Sequence, residues 1–190
     1  MVDQSWPARL SEVVYQGRLL SVRRDVLAND DGSEFDRFTV EHPGAVEVVA
    51  LDGENRVLLL SQYRATVRRR LVQLPAGVLD VPGESAAEAV VRELAEEADV
   101  AASEWEPLLD LWPTPGCSNE RWQLFLARGL SPIAARLRHR RRDEEADMER
   151  LWVPLPEVIA GVAEGRVMDS MVVAGCFAAA ERLAGRASHR

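Results

Sequence analysis

The chain has 190 residues, of which 47% are hydrophobic and 28% are charged, as in an ordinary globular protein with one domain-sized core. Its net charge of −8 argues against nonspecific nucleic-acid binding, and it disfavours an anionic substrate unless cations or local arginines correct the field. No apolar run approaches the roughly 18 residues that span a bilayer, the N-terminus lacks a signal-peptide pattern, and the two cysteines are far apart, so we expect a cytoplasmic protein with reduced thiols.

The first half of the chain is predicted to be mostly strand, since it is rich in β-branched and alternating apolar residues. Turns rich in Gly, Asn and Asp at 29–32 and 53–55 separate the predicted strands. Strands are expected at 13–27 (one or two strands), 35–42, 45–52, 56–64 and 70–80, the last running into a Pro/Gly loop. The turn at 53–55 predicts that its flanking strands form a buried hairpin.

The second half of the chain contains the predicted helices. The first helix covers about 85–98 and starts at Ser85, which has Glu88 three residues later as in a capping box. We then expect a strand and a turn-rich loop within 106–120, a strand at 121–130, an exposed loop at 136–150, a strand at 151–155, and helices at about 156–164 and 169–184. Many strands in front and few helices behind predict an α+β fold with mixed sheets, not a doubly wound parallel sheet.

The helix at 85–98 carries an unusual concentration of glutamates. Glu93 and Glu97 are four residues apart and point into one sector with Glu96, near the helix end where the dipole disfavours negative charge. A hard divalent cation such as Mg²⁺ would offset this repulsion, because it takes oxygen ligands. The alternative is a solvated acidic face with Arg92 as an incidental neighbour.

The segment around this helix resembles the signature of the Nudix hydrolases. That signature runs Gly, five variable residues, Glu, seven variable residues, Arg-Glu, an apolar residue, a variable residue, Glu-Glu, a variable residue, Gly and an apolar residue. This chain reads Gly77, six residues, Glu84, seven residues, and then Arg92-Glu93-Leu94-Ala95-Glu96-Glu97-Ala98-Asp99-Val100. There are two departures: one extra loop residue, and Asp99 in place of Gly. Aspartate tolerates left-handed geometry less easily than glycine does. Neither departure touches a metal ligand of the family.

The resemblance implies a metal site on the helix. Glu93 and Glu97 would bind Mg²⁺ or Mn²⁺, with Glu96 as a further ligand or a water-orienting group. The backbone carbonyl of Ala76 is implied as an additional ligand, and Arg92 is expected to orient the glutamates by salt bridge.

Features outside the signature resemble the ADP-ribose pyrophosphatase branch of the family. Arg64 matches an arginine that contacts the substrate diphosphate, and Arg37 matches one that reaches the substrate, sometimes in the partner subunit. Pro115, 15 residues after Val100, matches a proline that marks the branch. Gln73 stands where an acidic residue usually precedes Leu-Pro-Ala-Gly, which leaves the role of that position open.

The acidic segment at 143–148 resembles the loop that supplies the catalytic base in this branch. Its position before the following strand favours Glu144 as the base, with Glu145 as the close alternative. The other interpretation is a solvated loop that balances the basic run at 138–142.

Taken over residues 12–184, the resemblance implies a Nudix fold, with mixed β-sheets sandwiched between helices and an N-terminal antiparallel sheet. It implies Mg²⁺-dependent hydrolysis of a nucleoside diphosphate sugar, with ADP-ribose giving AMP and ribose 5-phosphate. The alternatives are another substrate of this type, such as GDP-mannose or ADP-glucose, or a catalytically silent ADP-ribose sensor. Residues 1–43 are expected to form a dimerising sheet and 44–190 the Nudix domain, in a homodimer with exchanged N-terminal strands and neither nucleic acid nor membrane as a partner.

Overall fold

The computed structural model describes residue 6 and residues 8–134, 136, 139 and 147–187. The chain divides into two units: Met1–Gly44 with Trp112–Arg121, and Ala45–Leu111 with Trp122–Arg190.

Among the described residues, seven strands come before the first helix and two helices follow the last strand, which is the segregated order expected for an α+β fold. The strands are β1 (Leu10–Gln16), β2 (Ser21–Ala28), β3 (Glu34–Glu41), β4 (Ala45–Ala50), β5 (Arg56–Arg64), β6 (Arg69–Gln73), β7 (Ala76–Val78), β8 (Val100–Leu111), β9 (Trp122–Pro132) and β10 (Glu149–Pro154). The helices are α1 (Ala86–Ala98), α2 (Leu155–Ala163) and α3 (Ser170–Ala187).

The first unit is built on a three-stranded antiparallel sheet in the order β1-β2-β3, which confirms the predicted N-terminal sheet. The segment Trp112–Arg121 belongs to this unit through backbone hydrogen bonds: the Val40 N–H donates to the Cys117 carbonyl, and the Asn119 N–H donates to the Val40 carbonyl. Every residue of β1 is exposed, including apolar side chains.

The second unit contains two sheets. One is antiparallel in the order β10-β5-β6, and the other is mixed in the order β7-β4-β9-β8, with β4 and β9 parallel. All six residues of β4 are buried, as in a central strand that is covered on both faces.

Two apolar cores lie on opposite faces of β4, because successive side chains of a strand point to opposite faces. One core packs against α1 and contains Val46, Val48, Ala50, Leu58, Ala89, Val90, Leu94 and Phe125. The other packs against α2 and α3 and contains Val49, Leu51, Leu59, Leu124, Val158, Val172 and Cys176. The sheets of this unit are therefore sandwiched between helices, which confirms the predicted fold class.

The predicted hairpin of 45–52 with 56–64 is wrong. The turn itself forms, with the Asp52 side chain accepting from the N–H groups of Glu54 and Arg56. Beyond it, however, β4 and β5 belong to different sheets and meet only in an isolated bridge between Leu51 and Val57. Each strand finds other partners, so the turn carries the chain from one sheet to the other.

Strand β8 begins at Val100, directly after α1, and is longer than the strand predicted within 106–120. It pairs with β9 over its length, with a register shift between Pro107 and Leu109. Within the described part of the chain, no helix has both the length and the apolar character needed to cross a membrane.

Candidate active site

Helix α1 is capped by its own residues at both ends, and Arg150 of β10 adds contacts at its C-terminal end. The Ser85 side chain accepts from the Glu88 N–H, and the Glu88 carboxylate accepts from the Ser85 N–H, so the predicted capping box is present. At the other end Asp99 adopts a left-handed conformation with φ 55°, as its place in the signature requires. Arg150 donates to the Ala98 carbonyl at 2.7 Å and pairs with the Asp99 carboxylate at 3.2 Å. These contacts hold the glutamate-bearing helix in place.

Arg92 lies among the acidic side chains of this segment. Its guanidinium donates to both carboxylate oxygens of Glu84 at 2.8 Å, to Glu93 at 2.6 Å and to Glu96 at 3.3 Å. The hydrogen bonds to Glu84 are the main reason that the pKa of Arg92 is raised, and in return they lower the pKa of Glu84. One arginine thus offsets the repulsion among three carboxylates, which is the orienting contact predicted for it.

Strand β7 lies against the acidic side of α1. The Ala76 N–H donates to a carboxylate oxygen of Glu97 at 2.8 Å, and Glu97 is buried. A Cβ at Gly77 would lie 1.9 Å from the Glu93 carboxyl carbon, so only glycine lets the backbone approach that carboxylate. The structure therefore brings together Ala76, Glu93 and Glu97, three of the four predicted metal ligands.

The donors at this place suit a hard divalent cation, since they are carboxylates and backbone carbonyls with a strand packed closely against them. Among the described residues, no three His, Cys, Asp or Glu side chains are already converged as a metal cage. Glu93 and Glu96 instead bond to Arg92, and Glu97 bonds to the Ala76 N–H. The chemistry of the donors fits the cation, and the glutamates have other partners here.

Arg64, the predicted diphosphate contact, lies at the end of β5 in a polar network. Its Nε donates to the Gln73 side-chain oxygen at 2.5 Å, and the buried Gln62 donates to the same oxygen at 3.1 Å. The Gln73 amide nitrogen in turn donates to Asp169 at 2.7 Å. The position that sequence reasoning left open therefore connects Arg64 to the residue before α3.

Glu47 is a candidate functional residue that the sequence analysis did not identify. It lies in β4 with 1% exposure, and its Oε2 has no hydrogen-bond partner among the described residues. Burial, followed by the negative charges of Asp169 and Glu97, raises the pKa of Glu47 well above its usual range. The signal was a single acidic residue inside the otherwise apolar run Ala45–Ala50, and only tertiary structure shows that it lies beside Glu97.

Arg37 and Pro115 line one pocket of the first unit, together with Thr39, Gly116, Cys117 and Ser118. The cavity has a volume of about 370 Å³. The Arg37 guanidinium lies 5.6 Å from the Phe35 ring centroid, and no carboxylate of a described residue lies within ion-pair distance of it. Arg37 and Pro115, which were predicted separately, thus line the same pocket, and Arg37 is available there to bind an anion.

Glu144 and Glu145, the predicted base and its alternative, lie outside the described residues. Asp147, the next described residue, pairs with Arg70.

The sequence and the fold both resemble those of known proteins. A family model described as NUDIX domain matches residues 41–170. The ADP-ribose pyrophosphatase of Mycobacterium tuberculosis (strain ATCC 25618 / H37Rv) is 38% identical over 178 residues, which cover 94% of this chain and 84% of the relative. The ADP-ribose pyrophosphatase of Bacillus subtilis (strain 168) is 29% identical and covers 84% of both chains.

A third relative and a solved structure are also similar to this chain. The methanol dehydrogenase activator of Bacillus methanolicus is 32% identical over 165 residues, which cover 86% of each chain. The crystal structure of an ADP compounds hydrolase superposes with a TM-score of 0.81 and covers 96% of both chains. At 23% identity, that structure supports the fold alone.

Proposed function

Because the chain belongs to the Nudix hydrolase family, we propose that it hydrolyses the diphosphate of a nucleoside diphosphate sugar, and that its preferred substrate is ADP-ribose. The products are AMP and ribose 5-phosphate. The observation that carries this proposal is the 38% identity to an ADP-ribose pyrophosphatase over 94% of the chain. The retained glutamates Glu93, Glu96 and Glu97 favour an active enzyme over a silent sensor.

The reaction needs a divalent cation, as in Nudix hydrolases generally, and we propose Mg²⁺ with Mn²⁺ as a substitute. The ligands would be the carboxylates of Glu93 and Glu97, the carbonyl of Ala76 and, as a further ligand or water-orienting group, Glu96. When bound, the cation supplies charge neutralisation at the diphosphate and a more acidic water. Arg92 keeps the carboxylates oriented, which the close contacts to Glu93 and Glu96 support.

Substrate binding and proton transfer are assigned to residues outside α1. Arg64 would bind the diphosphate, and Arg37 would bind another part of the substrate. Glu144, or else Glu145, would take the proton of the attacking water. A carboxylate held by cations has a low pKa and is a poor base, which is why the base is sought on a loop instead of on the helix.

We also propose a homodimer with exchanged N-terminal strands, in which Arg37 completes the partner's site. Support comes from the first unit itself: Leu10, Val13, Val14 and Tyr15 of β1 are all exposed. A dimer would remove this apolar surface from water.

We place the enzyme in the cytoplasm. Cys117 and Cys176 are both free thiols, which is the state that a reducing compartment maintains.

A substrate panel tests the proposed function. ADP-ribose, ADP-glucose, GDP-mannose and a dinucleoside polyphosphate are each incubated with Mg²⁺, and released phosphomonoester is measured. We expect kcat/KM for ADP-ribose to exceed the others by at least about tenfold, the discrimination that a few specific pocket contacts provide. A higher value for GDP-mannose would transfer the assignment to that substrate. Tight binding of ADP-ribose without turnover would identify a sensor.

A further inference from the structure

Gln73, the last residue of β6, makes side-chain hydrogen bonds to two other elements of the second unit. Its amide oxygen accepts from Arg64 Nε at 2.5 Å, and its amide nitrogen donates to Asp169 Oδ2 at 2.7 Å. Asp169 Oδ1 meanwhile accepts from the N–H groups of Met171 and Val172 at 3.0 and 3.1 Å, so Asp169 is the N-cap of α3. A continuous chain of hydrogen bonds therefore runs from the start of α3 to the side chain of Arg64.

This arrangement holds Arg64 by one edge only. Nε bonds to Gln73, whereas the two Nη nitrogens make no hydrogen bond to any residue that the structure describes. A guanidinium held at Nε keeps its terminal fork free for two parallel hydrogen bonds to a phosphate. Orientation of the fork would otherwise cost side-chain entropy at each binding event.

The partners of the Gln73 side chain require an amide, which has one acceptor end and one donor end. The oxygen side faces the donors of Arg64 and Gln62, and the nitrogen side faces a carboxylate. A glutamate would keep the first contact, but its second oxygen would take the place of the amide nitrogen, 2.7 Å from Asp169 Oδ2. Like charges at that distance repel strongly in a partly buried site.

We propose that Gln73 is a positioning residue for substrate binding: it aligns the Arg64 fork with the diphosphate and is itself held by Asp169. The inference rests on the proposed function, since it takes Arg64 as the diphosphate contact. It goes beyond that function by assigning Gln73 and Asp169 as a matched amide–carboxylate pair.

The test is a charge exchange within the pair. Gln73→Glu, Asp169→Asn and the double variant are compared with wild type in steady-state hydrolysis of ADP-ribose with Mg²⁺. Gln73→Glu should raise KM about tenfold with kcat nearly unchanged, as expected when a contact made equally in ground and transition states is disturbed. The double variant should return KM to within about twofold of wild type, because asparagine can donate to Glu at 73 and still cap α3.

Two controls show whether the change in KM is specific to the contact between Gln73 and Arg64. Asn55→Asp makes the same amide-to-carboxylate change in the exposed turn between β4 and β5 and should leave KM unchanged. In an Arg64→Ala background, Gln73→Glu should have no further effect on KM, because a positioning residue acts through the residue that it positions. An unchanged KM in Gln73→Glu, a double variant no better than Gln73→Glu, or additivity with Arg64→Ala would each overturn the proposal.

A readout without substrate separates this inference from the proposed function. The Arg64 Nε–H resonance, assigned by its loss in Arg64→Lys, should be protected from solvent exchange in wild type and in the double variant, and unprotected in Gln73→Ala. If wild type fails to hydrolyse ADP-ribose while this protection pattern holds, the proposed substrate is wrong and the network stands. If wild type is active and Nε–H is unprotected, the network is wrong. Circular dichroism melting checks that every variant is folded.

Discussion

At the scale of single residues, Gly77 shows how a missing side chain shapes the site. A methyl group there would overlap the Glu93 carboxylate at 1.9 Å. Gly77→Ala should therefore displace Glu93, weaken Mg²⁺ binding and lower kcat by at least about tenfold, on the scale of a disturbed metal ligand. Steady-state rates over a Mg²⁺ titration measure both effects.

Gly53 provides the matched control for this change. A Cβ at Gly53 meets no heavy atom within 4 Å, so Gly53→Ala should behave as wild type. Equal behaviour of the two variants would show that the close approach of β7 to Glu93 has no role in metal binding.

The catalytic base is a second prediction at this scale. Glu144→Gln should lower kcat by about 10²-fold or more while ADP-ribose and Mg²⁺ still bind, because proton transfer is needed mainly in the transition state. Glu145→Gln should have a smaller effect. Stopped-flow turnover and calorimetry on each variant separate rate from binding. If calorimetry finds Mg²⁺ binding lost in Glu144→Gln, the residue is a ligand. Normal turnover in both variants would instead place the base on α1, with Glu96 as the candidate.

At the scale of elements, the capping box of α1 contributes to the stability of the helix that carries the glutamates. Ser85→Ala removes the side-chain acceptor for the Glu88 N–H and should lower the free energy of unfolding by about 1 kcal/mol. Ser85→Asn should retain most of that stability, because asparagine is also a good N-cap. Urea denaturation of the two variants measures the difference, and equal loss in both would mean that the cap contact is not what stabilises the helix end.

The helices and most strands could be predicted because their signals are local. The segment from Ser85 to Asp99 carries both the cap and the spacing of the glutamates, and the contact of Arg92 with these glutamates was expected from the family resemblance. The false hairpin at Gly53 had a correct turn signal, but strand partners are chosen by long-range pairing that a turn does not encode. Glu47 and Asp169 were missed for the same reason, since they approach the site only after β4 and α3 have packed.

At the scale of the whole molecule, the proposed dimer predicts the mass of the protein in solution. Sedimentation at micromolar concentration should give a species of twice the 21.1 kDa chain mass, because the apolar face of β1 is exposed in a single chain. A species of the chain mass alone would contradict the dimer. If a dimer is found, mixing Arg37→Ala subunits with Glu97→Ala subunits tests whether the site is shared.

The mixing experiment has a defined outcome for each arrangement. If Arg37 acts across the interface, a mixed dimer has one site that lacks both residues and one intact site, so activity returns. If Arg37 acts within its own chain, each site of the mixed dimer lacks one residue and activity stays low.

The proposed metal-dependent hydrolysis of ADP-ribose depends on the α1 glutamates. The decisive measurement is turnover of ADP-ribose with Mg²⁺ by wild type and Glu97→Gln, with Glu88→Gln as a control on the same helix. Wild type should release AMP and ribose 5-phosphate in equal amounts, and Glu88→Gln should have the same kcat as wild type. The kcat of Glu97→Gln should be lower by at least about 10²-fold, the scale of a lost electrostatic contribution. Near-normal turnover by Glu97→Gln would show that the α1 glutamates do not hold the cation that the reaction needs.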